Sequence, residues 1–290
     1  MKTKISKTPR DLVKEGTWTL DKMKEMTVSA YVDINGNGTQ DLDDSFGYVT
    51  TTTYTDAYYF AAGLNIAEAG KDGLPVLSPD FSSEKTHDLL NYLIDYFHNN
   101  DAIYLKNGDA VGGLSCYEAV RKTFLEKRSL FILDQVSSAE IALRDSTVAY
   151  GIVPLPKYDE KQENYRTTMS FPYSLYGVPI DAKNPDMSVA VLECLGSEGY
   201  RNVSPALFET ALKVKYSSDN KTAEMYDILR ATVSFDIGRI FNDSMNALTY
   251  SMFRGALDRG TGDWASIYKS NEATLTAKFA DVINALATGE

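Results

Sequence analysis

Apolar residues recur at helical spacing in several parts of the chain. In the clearest case five of them share one face of a helix over residues 83–98: Leu89, Leu90, Leu93, Ile94 and Phe97. Asn99 and Asn100 predict the end of this helix, because asparagine is common where a helix closes. Similar stripes predict helices over residues 187–195, 225–232 and 275–283.

Helix-start signals add to this pattern at three points. Thr19 is placed as an N-cap, with Trp18 and Met23 as a hydrophobic staple across it. Residues 115–118 (Ser-Cys-Tyr-Glu) have the spacing of a capping box. Residues 204–205 (Ser-Pro) combine an N-cap with proline at the first helical position, which predicts that a helix begins there.

Short runs rich in β-branched and apolar residues predict strands between the helices. They lie at residues 46–53, 129–133, 148–153 and 175–180. The aromatic segment 54–62 is predicted to open a helix, and the segment 63–79, rich in glycine and proline, is predicted to form a loop. The alternation of these elements predicts a mixed α/β protein with helices covering its sheets.

Composition narrows the class of protein. Of the 290 residues, 43% are hydrophobic and 24% are charged, as in a folded globular protein. The formal net charge of −11 argues against nucleic acid or an anionic membrane as a partner, since phosphate groups would repel the chain. Cys116 and Cys194 lie in apolar helical contexts, so we expect buried free thiols rather than a disulfide.

Catalytic signals are weak. The chain contains only two histidines, and it has no Walker-type loop, nucleophile elbow or His-Glu-x-x-His motif. Paired carboxylates such as Asp43 and Asp44 are compatible with glycoside hydrolysis. Solvated charge or helix capping explains them better, and we therefore expect a protein that is not an enzyme.

Residues 33–44 have the spacing of a calcium-binding loop. Oxygen-bearing residues occupy loop positions 1, 3, 5, 7, 9 and 12, and they are Asp33, Asn35, Asn37, Thr39, Asp41 and Asp44. Gly38 stands at position 6, where such loops turn sharply, and Thr39 would contribute its backbone carbonyl. Aspartate at position 12 is typical of extracellular dockerin-type loops. The alternative is an ordinary Asn/Gly/Asp-rich surface turn. We expect a structural calcium ion here.

The order of several segments along the chain carries a resemblance to a known family. Residues 9–23 come first, followed by the 33–44 loop and by Phe46-Gly47. Six further segments continue the pattern, at residues 60–65, 72–75, 143–145, 150–158, 162–165 and 170–173. In this order they resemble family 1 extracellular solute-binding proteins, the sugar-binding components of ABC importers, with a fold of the maltose-binding-protein type. Residues 9–23 look like that family's crossover segment.

The resemblance implies a periplasmic-binding-protein-like α/β fold (type II). Residues 1–165 would form the crossover segment and second lobe, 166–215 the returning part of the first lobe, and 216–290 C-terminal helices mostly packed on the second lobe. Most of the first lobe would then be absent, because this chain starts almost at the crossover. We expect the calcium ion to brace the second lobe.

The resemblance also implies a function and a location. The protein would capture a carbohydrate between two lobes by hinge closure and deliver it to ABC permease subunits. It would be a monomer that binds no nucleic acid, and its full-length form would be an extracellular lipoprotein whose signal segment is absent from this chain. The alternatives are a glycoside hydrolase or other carbohydrate-active enzyme, and a structural module with a dockerin-like loop.

Position in the family pattern nominates seven ligand-binding residues. They are Tyr54, Tyr58, Ser137, Phe171, Tyr173, Tyr250 and Arg254. Aromatic rings suit the C–H faces of sugars, and polar groups suit their hydroxyls. The alternative for each aromatic residue is a place in the core, and for Tyr58 and Phe171 the two interpretations are evenly matched. Trp18 is better explained as the staple, and Trp264 is open between core and cleft.

Overall fold

The computed structural model describes residues 7–71, 73–101, 103–106, 112–169, 175–215 and 220–288. Its α-helices are α1 (Pro9–Lys14), α2 (Leu20–Thr27), α3 (Ala57–Ala61), α4 (Glu84–His98), α5 (Cys116–Leu125), α6 (Pro185–Glu198), α7 (Asn220–Ala231), α8 (Ile237–Ile240), α9 (Leu248–Arg259) and α10 (Trp264–Thr288). Its strands are β1 (Phe46–Thr51), β2 (Ala67–Ala69), β3 (Pro75–Leu77), β4 (Ile103–Lys106), β5 (Ser129–Ile132), β6 (Thr167–Thr168) and β7 (Val233–Ser234).

A parallel three-stranded sheet in the order β4-β1-β5 lies at the centre of the fold. Val49 of β1 is in register with Tyr104 of β4 and with Ile132 of β5. Every residue of β1 is buried, as expected of a central parallel strand covered on both faces. Helices α4 and α5 contact this sheet, as does α2. β2 and β3 form a short antiparallel pair, and β6 and β7 a short parallel one.

Aromatic side chains dominate the main core. The Tyr48 ring stacks on those of Tyr96 and Phe97, with centroids 6.3 and 5.9 Å apart. The Tyr58 hydroxyl donates to the Tyr48 hydroxyl at 2.9 Å, and burial raises the pKa of Tyr48 to about 12. The Trp18 indole N–H donates to the Pro154 carbonyl at 3.0 Å. These polar tips are thus satisfied inside an apolar interior.

Most of the local predictions are confirmed. Helix α4 ends at His98 with Asn99 as its C-cap, and the capping box of Ser115 and Glu118 starts α5. Thr19 caps α2 by accepting from the Lys22 N–H. Strands β1 and β5 lie where the β-branched runs predicted them, and α7 and α10 match their apolar stripes. The 63–79 loop differs, because β2 and β3 form a hairpin within it.

The predicted strand at residues 148–153 is wrong. The segment has no regular secondary structure, and the nearest backbone pairing is an isolated bridge between Thr19 and Lys157. The segment pairs with no described strand, and the two prolines that follow it, Pro154 and Pro156, have no N–H with which to extend a ladder. Its apolar side chains line a cavity instead.

Two further predictions fail in the segment that includes α6. Residues 175–180 form no strand, and Ile180 is 97% exposed. No helix begins at Ser204, because the helical backbone continues from α6 through wider π-helical segments, Gly199–Val203 and Ala206–Lys215. The wider turns accommodate Pro205, whose missing N–H would interrupt an ordinary α-helix. Both cysteines are free as predicted, but only Cys116 is buried, and Cys194 on α6 is exposed.

Helix α6 buries none of its residues. Met187, Val191 and Leu195 recur every four residues and form an apolar stripe along it, with exposures of 60%, 50% and 58%. A stripe of this kind normally faces a neighbouring element. None of the described helices is both long enough and apolar enough to cross a membrane.

Candidate ligand-binding cavity

A cavity of about 1130 Å³ lies at the carboxyl ends of β1 and β5. Thr53 and Tyr54 reach it directly after β1, and the residues from Leu133 to Ala139 reach it after β5. The apolar segment 148–156 forms another wall, where Tyr150 meets Phe124 with ring centroids 6.1 Å apart. Clefts outside the carboxyl ends of parallel strands are a common place for ligands in α/β proteins.

One wall combines aromatic rings with a fixed carboxylate. The Tyr54 and Tyr117 rings are 5.2 Å apart, and both line the cavity. Both oxygens of Asp134 accept from the Arg121 guanidinium, at 2.6 and 2.9 Å, and the Ser138 hydroxyl donates to Asp134 at 2.8 Å. Burial, followed by the Asp134 charge, raises the pKa of Tyr54, and its neutral phenol donates to Asp134 at 3.4 Å.

Two further lining residues, Arg239 and Arg254, belong to an ion cluster centred on Asp56. This carboxylate is 3% exposed and accepts from Arg239 through one oxygen and from Arg254 through the other. Arg239 also donates to the Met169 carbonyl at 3.0 Å, and its guanidinium lies over the Phe60 ring. The Arg254 guanidinium lies 4.2 Å from the centroid of the Tyr250 ring. Both arginines are thus held rigidly at the cavity surface.

Arg166, just before β6, lines the same cavity. Its guanidinium donates to the Leu64 carbonyl at 3.3 Å and to the side-chain oxygen of Asn65 at 2.8 Å. Both acceptors are uncharged. Asp80 and Asp236, which lie near this part of the chain, accept backbone N–H groups of Asn65 and Ile66, and neither lines the cavity.

The structure brings together four of the seven nominated ligand residues. Tyr54, Tyr58, Ser137 and Arg254 line the cavity, although Tyr58 is 1% exposed and its hydroxyl faces Tyr48. Tyr250 lies against Arg254, as described above. Phe171 and Tyr173 lie outside the described residues. Trp18 is buried in the wall, and Trp264 is buried in the core, where it donates to the Phe81 carbonyl.

Sequence reasoning missed Asp56, Arg166 and Arg239. Asp56 and Arg239 are 183 residues apart, and no local spacing signals that they meet. The one available signal is the position of Asp56, which comes shortly after the strand predicted at residues 46–53, because site residues often follow a strand of an α/β protein.

The 33–44 loop lies outside the cavity and is held by its own polar groups. Asp33 accepts the backbone N–H groups of Gly36 and Gly38, both of which have positive φ. Asp44 is fully buried and accepts from the Tyr31 hydroxyl and from the Ile34 N–H.

The side chains of this loop also interact with one another. The amide groups of Asn35 and Asn37 donate to Asp41. In the described part of the chain, no group of three or more His, Cys, Asp or Glu side chains is arranged to hold a metal ion.

Comparison with known proteins identifies the fold. No protein-family model and no curated protein sequence matches the chain. Among solved structures, the maltose/maltodextrin-binding domain MalE from Bdellovibrio bacteriovorus, bound to maltotriose, matches it with a TM-score of 0.52 at 15% sequence identity. The match covers 92% of this chain and 67% of the MalE chain. The chain therefore has a mixed α/β, MalE-like periplasmic-binding-protein fold.

Proposed function

We propose that this protein is the extracellular solute-binding component of an ABC importer, of the family 1 type, and that it captures a carbohydrate in the cavity. The observation that carries the proposal is the cavity itself, which combines aromatic rings and fixed hydrogen-bonding groups within a MalE-like fold. The matched MalE domain was solved with maltotriose.

The proposed binding mode follows from the chemistry of the walls. The rings of Tyr54 and Tyr117 would cover the C–H face of a sugar and remove apolar area from water. Asp134, Ser137 and Arg254 would hydrogen-bond its hydroxyls. Asp134 is well suited to this role because Arg121 fixes its orientation before the ligand arrives. Hinge closure would then enclose the solute before it passes to the permease subunits.

Two features support the proposed assignment of residues 166–215 to a first lobe. The apolar stripe of α6 is exposed, as it would be if the layer that covers it were elsewhere. One third of the MalE chain has no counterpart in this chain, which leaves room for such a layer.

Residues 216–290 would pack mostly on the second lobe. The extracellular, lipid-anchored location rests on the family resemblance and on the calcium-type loop.

Isothermal titration calorimetry of the purified chain tests the proposed function. The titrants are neutral and acidic oligosaccharides. We expect saturable one-to-one binding of at least one of them, and loss of that binding in Asp134→Ala, which removes a fixed acceptor from the cavity wall. Asp258→Ala is the matched control, because it removes a carboxylate from an exposed position outside the cavity. Heats no larger than those of buffer for the whole panel would refute the proposal.

The competing candidate is a glycoside hydrolase, which in most families requires two carboxyl groups across the scissile bond. Asp134 is the one acidic side chain among the described residues that line the cavity, and Arg121 engages both of its oxygens. This favours binding over hydrolysis. Release of the chromophore from a panel of nitrophenyl glycosides by pure protein, lost in Asp134→Ala, would establish the hydrolase instead.

We also propose that the 33–44 loop binds a structural calcium ion. Its donors are carboxylate, amide and backbone oxygens, which calcium prefers, and both of its glycines adopt the left-handed conformation that a tight loop needs. Ion binding would replace the hydrogen bonds from Asn35 and Asn37 to Asp41 with oxygen–ion contacts. The ion would brace the loop that precedes β1.

Thermal unfolding with and without calcium tests this site. We expect calcium to raise the melting temperature, because an ion that binds only the folded state stabilises it. Asp33→Ala should abolish the calcium-dependent rise, whatever its effect on the calcium-free protein. Asp43→Ala, at a loop position that supplies no ligand, should keep it. An unchanged melting temperature in the native chain would refute the calcium site.

A further inference from the structure

The cavity is basic, although the whole chain has a formal net charge of −11. Six basic side chains line it among the described residues, and they are Arg10, Lys127, Arg166, Arg230, Arg239 and Arg254. Asp134 is the acidic residue among the described lining residues. A concentration of positive charge in one cavity of an acidic protein focuses a field on whatever enters it.

The Asp56 cluster leaves positive charge at the cavity surface. One buried carboxylate faces two guanidinium groups, those of Arg239 and Arg254. It can neutralise only one of them. Arg254 is 18% exposed in its side chain, whereas Asp56 is 3% exposed, so the cluster presents its cationic side to the cavity.

Arg166 adds to the excess of positive charge at the cavity surface. Its partners are a backbone carbonyl and an amide oxygen, which orient the guanidinium without cancelling its charge. Asp134 does not offset these groups, because Arg121 already binds both of its oxygens. Arg166, Arg239 and Arg254 thus form a cationic wall, and among the described residues Asp56 is the one carboxylate paired directly with any of them.

We propose, on the basis of the carbohydrate-binding function above, that the ligand is an acidic saccharide whose anionic group binds this cationic wall. A planar guanidinium fork matches a carboxylate or a sulfate oxygen pair, and such hydrogen bonds strengthen away from bulk water. The sugar rings would lie against Tyr54 and Tyr117, which line the same cavity as the arginines. Neutral sugars would lack a partner for the excess positive charge.

Calorimetry with matched saccharide pairs tests the charge of the ligand. Each pair contains an acidic oligosaccharide and its neutral counterpart. In the uronate pairs, oligogalacturonate, oligoalginate or oligoglucuronate is compared with its carboxyl-reduced form. In the sulfate pair, a sulfated galactan oligosaccharide is compared with its desulfated form. We expect the best acidic ligand to bind at least about tenfold more tightly than its counterpart. Its affinity should also fall as sodium chloride rises from about 0.05 M to about 0.5 M, because the charges are screened.

Two variants, each with one arginine replaced by uncharged glutamine, test whether the preference for an acidic ligand comes from the cationic wall. Arg254→Gln and Arg166→Gln should each weaken the acidic ligand by about tenfold and weaken a neutral saccharide less, because glutamine can still donate to a hydroxyl but carries no charge. Arg254→Gln leaves Asp56 paired with Arg239, so the buried carboxylate keeps a partner. Arg259→Gln is the matched control, since it removes one positive charge from an exposed position at the end of the same helix, α9.

The outcomes separate this inference from the function on which it rests. Equal or tighter binding of the neutral member in every pair would overturn the acidic-ligand inference and leave carbohydrate binding intact. An equal loss of acidic-ligand affinity in Arg259→Gln would also overturn it, because the effect would then come from overall charge. Binding of no saccharide, acidic or neutral, would overturn both. The uronate and sulfate arms show which anionic group the wall accepts.

Discussion

At the scale of single residues, Gly47 determines how closely helix α2 approaches the central strand. A Cβ atom at this position would lie 2.8 Å from the Thr27 Cα and closer still to the Thr27 carbonyl oxygen. Both neighbours are backbone atoms at the end of α2, so neither can rotate away. Gly47 also follows Phe46 in the segment that carried the family resemblance, and close helix–strand packing supplies a physical reason for a glycine there.

Gly47→Ala should therefore destabilise the protein by about 3 kcal/mol, because a methyl group must push α2 away from β1. The measurement is denaturant unfolding monitored by circular dichroism. Gly196→Ala is the control, since a Cβ atom there meets no neighbour within 4 Å and lies in the exposed helix α6. That substitution should stabilise the protein by up to about 1 kcal/mol through helix propensity. Similar stabilities for Gly47→Ala and the native chain would contradict the packing of α2 on β1.

At the scale of elements, the local sequence is enough to predict an element that has its own capping residues and its own apolar face. The five apolar residues of α4 with Asn99, and the capping box of α5, specify helices with little help from elsewhere. An extended apolar run, in contrast, does not by itself predict whether a neighbouring strand will pair with it. Residues 148–153 line the cavity and residues 175–180 are exposed, so neither gained the ladder that a strand requires.

Helix α6 yields a prediction at this scale. Val191→Glu should leave the free energy of unfolding within about 0.5 kcal/mol of the native value, because Val191 is half exposed and lies outside the core. It should lower the fluorescence of a dye that binds exposed apolar surface. Ala190→Glu adds the same charge beside the stripe and should lower the fluorescence less. A loss of 2 kcal/mol or more, which is typical of core substitutions (about 2–5 kcal/mol), would show that α6 is buried in the folded chain.

At the scale of the whole molecule, the fold class could be predicted from the order of segments, whereas the cavity could only be predicted in part. Tyr54, Ser137 and Arg254 were nominated from that order and do line the cavity. The cationic wall could not be predicted, because Asp56 meets Arg254 across 198 residues and Arg166 meets Asn65 across 101. Such contacts exist only after the chain has folded, and they determine the charge that a ligand encounters.

The most direct test of the central claim is a crystal structure of the protein with the saccharide that binds it most tightly in calorimetry. We expect electron density for the sugar in the cavity at the carboxyl ends of β1 and β5, with a ring against Tyr54 and a polar group within hydrogen-bond distance of Arg254. Density for the saccharide at another surface, with this cavity holding only solvent, would contradict the account.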